Sequence, residues 1–231
     1  MSPPSTGTRA LARARTIEDL KRVARAHLAT DGADLSLRSV ARELGMVSSA
    51  VYRYFESRDA LLTALIIDAY DDLGAATERA EAAVRRTDLR GRWQATAHAI
   101  RDWSRANPAE YGLLYGTPVP GYSAPEDTIG PASRTVVVLT SILREGHARG
   151  VLVPLPHERL PAATRADLEG IASLPGFEDV PPALLARGMG AWAALFGLVS
   201  FELFGRLTNA IHDYDAWFDY QVRLLTRDLG L

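Results

Sequence analysis

The sequence predicts an all-α fold, and three observations point that way. Apolar residues recur at helical spacing along most of the chain. No segment alternates apolar and polar residues as a half-buried strand does, and Val136-Val137-Val138 is the only β-leaning run. Glycine and proline cluster between the periodic segments, where helices have to stop. The chain has 231 residues, 47% apolar and 23% charged, enough to bury a core in one or two domains. It contains no cysteine, which excludes disulfide frameworks, zinc ribbons, iron–sulfur clusters and thiol catalysis.

The elements follow in order. Residues 1–15 read as a disordered basic tail, with Pro3, Pro4 and Gly7 early and Arg9, Arg13 and Arg15 late. Thr16 suits the N-cap of a first helix, with Asp19 in the capping-box position and Ile17, Leu20, Ala24 and Leu28 as its apolar row. That helix is expected to end near Thr30-Asp31-Gly32. Ser36 is expected to cap a second helix, Leu37 to Leu44, with Leu37, Val40, Ala41 and Leu44 on one face. Gly45 can take the left-handed conformation that stops it. Ser48 restarts a third helix through Tyr54-Phe55, and Ser57 caps a long fourth one carrying Leu61, Leu65, Ala69, Leu73 and Ala76 in a row.

Residues 89–106 carry Trp93, Ala97, Ile100 and Trp103 at helical spacing and stop at Asn107-Pro108. A short helix follows through Tyr111 and Leu114, then a loop over 116–131 with four prolines and three glycines. A helix over 132–149 ends at Gly150, a weak helix lies within 157–172, and 173–182 is loop. Helices over 182–207 and 213–229 close the chain. The first fifteen residues lack the apolar core of a secretory leader. The most apolar stretch, Gly188 to Phe201, would rise about 21 Å as a helix against a hydrocarbon core of roughly 30 Å. No membrane partner is expected, and the expected location is cytoplasmic.

Helices two and three carry the functional information. Ala41, Gly45 and Val51 have the spacing of a helix-turn-helix. A small residue lets the second helix cross close to the first, a glycine takes positive φ in the tight turn, and an apolar residue fills the angle between them. Charge agrees: residues 1–58 hold ten Lys/Arg against six Asp/Glu, and residues 59–231 hold sixteen against twenty-two. A basic N-terminal end on an acidic body is the arrangement of a nucleic-acid-binding head.

The run GMVSSAVYRYFESRDALLTAL, residues 45–65, resembles the N-terminal domain of the tetracycline-repressor (TetR) family of bacterial transcriptional regulators. The matching residues are Gly45, Ser48-Ser49, Val51, Tyr52, Tyr54-Phe55 and Ser57-Arg58-Asp59-Ala60-Leu61. Arg58 stands where lysine is commoner, and Ala50 where threonine or glycine is. The segments ANPAEYGLLYG and ILREGHARGVL resemble one subgroup of TetR C-terminal domains. The resemblance implies a three-helix DNA-binding domain over 16–60 and a helical ligand-binding and dimerisation domain over 61–231. It implies a homodimer, double-stranded operator DNA and a small-molecule effector as partners.

On this reading Ser48, Ser49 and Arg53 lie on the outer face of the recognition helix, with Arg53 long enough to reach a guanine bidentately. Arg38 is expected to contact a base or phosphate, and Tyr52 and Tyr54 phosphates through their hydroxyls. Ser36 and Arg58 are expected to hold the backbone. Trp103, Tyr111 and Tyr115, with Trp192 and Phe196 as the facing wall, are the candidate ligand contacts. They lack the arginine cluster that a polyanionic ligand needs, so an apolar, ring-containing effector is expected. Leu184, Leu195, Leu198, Phe201, Phe218, Val222 and Leu225 on the last two helices are expected to pair with their twofold mates in a four-helix bundle. His98 and Asp102, four apart, form at most a weak metal pair, and neither metal nor cofactor is expected. No nucleophile–base constellation occurs, so the chain is not read as an enzyme. A helical small-molecule carrier or enzyme with a vestigial DNA-binding head is the alternative.

Overall fold

The computed structural model describes residues 6–31, 35–154 and 159–231. Pro3, Pro4, Gly32 and the start of the 157–172 segment lie outside the described residues. Among those described there are ten α-helices and no strand, and the β-leaning Val136-Val137-Val138 lies within a helix. The helices are α1 (Thr6–Asp31), α2 (Leu37–Glu43), α3 (Ser48–Val51), α4 (Arg58–Ala82), α5 (Leu89–Ala106), α6 (Pro108–Tyr115), α7 (Ile129–Ala148), α8 (Ala162–Ala172), α9 (Pro182–Leu203) and α10 (Tyr214–Leu229).

Two boundaries depart from expectation. Helix α1 begins at Thr6, so the described part of the expected disordered tail is helical. The segment Ala10-Leu11-Ala12-Arg13-Ala14-Arg15 consists of strong helix formers. The Thr16 hydroxyl does not cap; it donates back to the Ala12 carbonyl at 3.0 Å inside the helix. Ser36 sits at the N-cap of α2 with extended backbone, but its side chain makes no capping bond. Ser57 does cap α4, its Oγ accepting from the Ala60 amide at 3.0 Å.

The chain divides into two compact units. The first comprises the described residues up to Tyr70 together with Asn107–Ile129. Its core joins Leu20, Val23, Ala24 and Leu28 of α1, Leu37, Val40 and Ala41 of α2, Val51 of α3, and Leu61, Leu62 and Leu65 of α4. Ala109 and Leu113 of α6 and Val119 and Tyr122 beyond it pack against that core. This differs from a simple cut after residue 60, because α6 covers α1 although forty residues of helix separate it from the reading head in sequence. Asp68 of α4 accepts from Lys21 at 2.9 Å and Arg25 at 2.6 Å, fixing α1 against α4.

The second unit comprises Asp71–Ala106 and Gly130–Leu231. Helix α9 packs against α5, α8 and α10. Leu184, Leu195, Phe218 and Val222 are buried within this unit, so they are not available to a twofold mate as expected. By length and composition α9 could cross a membrane, but its Leu184, Leu185, Ala191, Leu195, Phe196 and Val199 are buried inside the unit. Arginines bind the helices together. Arg92 is fully buried and donates to Glu81 and Glu145, both at 2.6 Å. Arg101 donates to both carboxylate oxygens of Glu202, at 2.7 and 2.9 Å, and pairs with Asp215 at 2.7 Å. Its guanidinium lies over the Phe218 ring, 4.9 Å from the centroid.

These pairs give the second unit a pH dependence. Arg134 donates a hydrogen bond to Glu78, and Arg101 one to Asp215, and each bond holds its carboxyl below the ordinary range. Burial opposes ionisation of Glu145 most strongly, but the combined pull of Arg92, Arg86 and Arg149 still holds it low. A carboxyl depressed in the folded state contributes stability above its unfolded pKa and loses it as pH falls through the folded one. Melting temperature is therefore expected to hold down to about pH 4.5 and to fall below it. Glu145→Gln should melt lower near neutrality and show a shallower acid fall in the same scan.

Candidate nucleic-acid interface and ligand cavity

The turn between α2 and α3 is built from the backbone outward. Gly45 has φ of +65°, and its amide donates to the Arg42 carbonyl at 3.1 Å. The Met46 amide reaches back to the Ala41 carbonyl at 2.9 Å, closing α2. Ala41 and Val51 are both completely buried, so the small residue and the apolar wedge meet inside the angle as their spacing predicts. Helix α3 is short, but turns continue it: Tyr54 and Phe55 amides donate to Val51 at 2.9 and 3.1 Å.

Most of the expected DNA contacts are exposed. Ser36, Arg38, Ser48, Ser49, Tyr52 and Arg53 are all solvent-facing. Arg38, Arg42 and Arg53 form no ion pair among the described residues, so their guanidiniums are available to phosphates or bases. Two residues are engaged otherwise. Tyr54 is half-buried against the core, and Arg13 lies over its ring, 5.1 Å from the centroid. Arg58 is partly buried and donates from Nε to the Leu35 carbonyl at 3.1 Å, tying α4 to the entry of α2.

Two features were missed in the sequence. Arg13 also donates to the Arg53 carbonyl at 3.1 Å, so α1 steadies the C-terminal end of the recognition segment. Arg13 lies on the part of α1 that precedes Thr16, where the sequence predicts a tail. Val47, the residue before α3, is 71% exposed beside Ser48, an unusual position for a large aliphatic side chain.

Of the five expected ligand contacts, Trp192 lines the cavity of the second unit. Tyr111 and Tyr115 lie on α6 in the first unit, where Tyr115 packs on Tyr111 at 5.1 Å and edge-on to Tyr70 at 6.1 Å. Burial, then the neighbouring Tyr70 and Tyr111, pushes the Tyr115 phenol well above its ordinary range. Trp103 is buried in α5 of the second unit. Trp192 lines a cavity in that unit, its ring tilted against that of Phe196 with centroids 5.6 Å apart. His98 pairs with Asp219 of α10 at 3.1 Å.

That cavity holds about 250 Å³. Trp93 of α5, Leu139 and Leu143 of α7, Ile171 of α8, Phe177 of the turn after it and Trp192 of α9 form much of its wall, and no charged residue lines it. Gly188 leaves room for the Leu143 side chain of α7, which a Cβ there would overlap. Phe177 is carried by a sharp turn with Gly176 at φ +91° and Asp179 at φ +63°. Ile171 and Phe177 escaped the sequence reading because they sit in a weakly helical segment and a loop, where periodicity says nothing about burial.

A basic helix-turn-helix head and a separate helical unit with an apolar cavity define a class: DNA-binding transcriptional regulators. Residues 21–65 match the family described as bacterial regulatory proteins, tetR family, and residues 93–225 match the tetracyclin repressor-like C-terminal domain. The chain belongs to the TetR family. It is 41% identical over 204 residues to the HTH-type transcriptional regulator Rv1816 of Mycobacterium tuberculosis (strain H37Rv), covering 86% of this chain and 85% of that protein. The same identity and coverage hold for the HTH-type transcriptional regulator Mb1846 of Mycobacterium bovis. The crystal structure of SCO4313, described as a regulatory protein, is 31% identical with a TM-score of 0.76, covering 97% of this chain and 98% of that one.

Nothing lies within 4 Å of where a Gly45 Cβ would stand, so replacing it tests backbone conformation alone. Gly45→Ala is expected to cost roughly 1–2 kcal/mol in denaturant titration, and Gly45→Asn less, since asparagine tolerates positive φ.

Proposed function

We propose that the chain is a cytoplasmic, homodimeric repressor released from a palindromic operator by a small apolar or aromatic molecule. The pairing of an exposed, basic reading surface in one unit with an apolar cavity in the other carries this reading. Arg38 and Arg53 supply base or phosphate contacts, Ser48 and Ser49 adaptable ones, and Tyr52 a phosphate hydroxyl. Val47 offers a thymine methyl an apolar surface. Ser36, Tyr54 and Arg58 hold the segments that carry these groups and add backbone contacts at the edge of the footprint. Trp192, with the Phe196 ring tilted against it, is the part of the expected ligand set that belongs to the cavity. Release follows if the effector binds tighter to the conformation that fits DNA poorly; its differential affinity sets the shift.

The proposed dimer uses the surface the second unit leaves open. Gly190, Ala194 and Phe201 are exposed along one stripe of α9, with Gly197 between them. On α10, Tyr220 is exposed between the partly buried Trp217 and Leu224. Small residues beside aromatic ones let two copies of α9 approach closely and bury ring surface, and a twofold axis needs one self-complementary patch.

Arg38→Ala and Tyr52→Phe are each expected to weaken operator binding, by about 1–3 kcal/mol where a base-directed pair is lost. Loss of a phosphate contact also flattens the salt dependence. An operator selected from a random pool serves as probe, and wild-type binding by both variants at low and high salt would refute the head assignment. Phe201→Asp is expected to sediment as a folded monomer where the wild type is a dimer. A wild type that stays monomeric at micromolar concentration would refute the assembly.

A further inference from the structure

We infer that the N-terminal extension of α1 is a second DNA-contact element, and that Arg9 binds a phosphate of the duplex flanking the bases that α3 reads. The inference rests on the reading that α2 and α3 form the DNA-binding head. The extension precedes residues 21–65, the segment that matches the tetR family, so membership of the family assigns it no role. Residues 6–17 hold Arg9, Arg13 and Arg15 and no acidic residue. Arg9 and Arg15 are exposed and form no ion pair among the described residues.

Arg13 fixes where the extension lies. It donates to the Arg53 carbonyl at 3.1 Å and covers the Tyr54 ring, 5.1 Å from the centroid, at the end of the recognition segment. Arg9 stands four residues earlier, one turn back on the same face of α1. That face continues the exposed basic surface of Tyr52 and Arg53 beyond the reach of α3. Arg15 and Leu11 each lie about 160° round the helix from Arg13, on the side away from the recognition segment. Residues 9–15 are all exposed, so no apolar burial holds the extension in place. A short helix of this kind is marginal in water without an anchor. What it offers a partner is positive charge, and duplex DNA brings the opposite charge to the surface that the head presents.

An operator selected from a random pool is titrated with the full-length protein over a range of salt, in two lengths. One ends at the bases the heads read, and the other carries one further helical turn of duplex at each end. On the longer DNA, Arg9→Gln is expected to weaken binding severalfold at low salt and to flatten the plot of log affinity against log salt by about 0.9 per bound copy. Arg15→Gln removes the same charge from the other side of the helix and is expected to leave most of that slope. Arg9→Lys is expected to keep it, because a phosphate accepts a point charge as well as a fork. On the shorter DNA, wild type and Arg9→Gln should coincide. The Arg9 variants should melt with the wild type, since the side chain is exposed. Equal slopes for wild type and Arg9→Gln on the longer DNA would overturn the inference and leave the head reading intact. So would equal losses from Arg9→Gln and Arg15→Gln, which mark diffuse attraction instead of a contact. A difference that persists on the shorter DNA would overturn the flanking position, and a loss in Arg9→Lys as large as in Arg9→Gln would overturn the phosphate in favour of a base edge. A wild type that selects no operator would remove the head reading, and this inference with it.

Discussion

A helix that is apolar almost all round has to be covered on every side, and α9 imposes that demand on the whole second unit. One side is met within the chain, where Leu184, Ala191, Leu195 and Val199 are buried against neighbouring helices. A second side meets α7 through Gly188 and closes the cavity. The ends are held by charge: Arg101 clamps Glu202 at the C-terminal end of α9 to Asp215 at the start of α10. A buried pair of this kind adds little net stability over an apolar substitute, but breaking it leaves an uncompensated charge and is strongly unfavourable. The arginines fix geometry, and the apolar surface supplies the driving force.

The reading head obeys a different constraint. Helices α2 and α3 are short and present little apolar surface of their own, so precision at α3 has to be borrowed from neighbours. Leu61 and Leu65 extend its core into α4, and Ala109 and Leu113 extend it into α6. Arg13 and Arg58 then pin the backbone on either side of the recognition segment, each by a hydrogen bond to a carbonyl. Asp68 accepts from both Lys21 and Arg25, while Arg38, Arg42 and Arg53 stay exposed with no ion pair among the described residues. Recognition by a handful of side chains depends on a frame that does not yield.

Much of this was legible in the sequence, and the failures have physical causes. The helical class, the limits of α5 and the Ala41–Gly45–Val51 turn follow from periodicity and backbone stereochemistry, which are local. The start of α1 was missed because Thr16 has two uses for its hydroxyl, capping or back-bonding, and neighbouring alanine and arginine favour the second. Tyr111 and Tyr115 lie close to Trp103 in sequence, yet α6 carries them in the first unit and α5 carries Trp103 in the second. Membership of α6 is decided by Leu113 against the α1–α4 core, a tertiary fact. Trp93 was visible as an apolar helical position, but that its indole N–H lacks a partner is visible only once its surroundings are fixed.

The two remaining demands of α9 fall on opposite sides of it. At about 100° per residue, Leu185, Gly188, Met189 and Trp192 cluster on one face, and Gly190, Ala194, Gly197 and Phe201 on the face turned away. The first set lines the cavity; the second is the stripe proposed to meet the mate. A close-packed helix moves as a body and deforms little. A molecule that displaces Met189 or Trp192 therefore also displaces Ala194 and Phe201, with no intervening chain of contacts. Coupling of this kind needs two arrangements of α9 of similar free energy, with the ligand favouring one. The small residues on the outward stripe suit that requirement, since they give two helices a shallow, slidable contact instead of interlocked side chains.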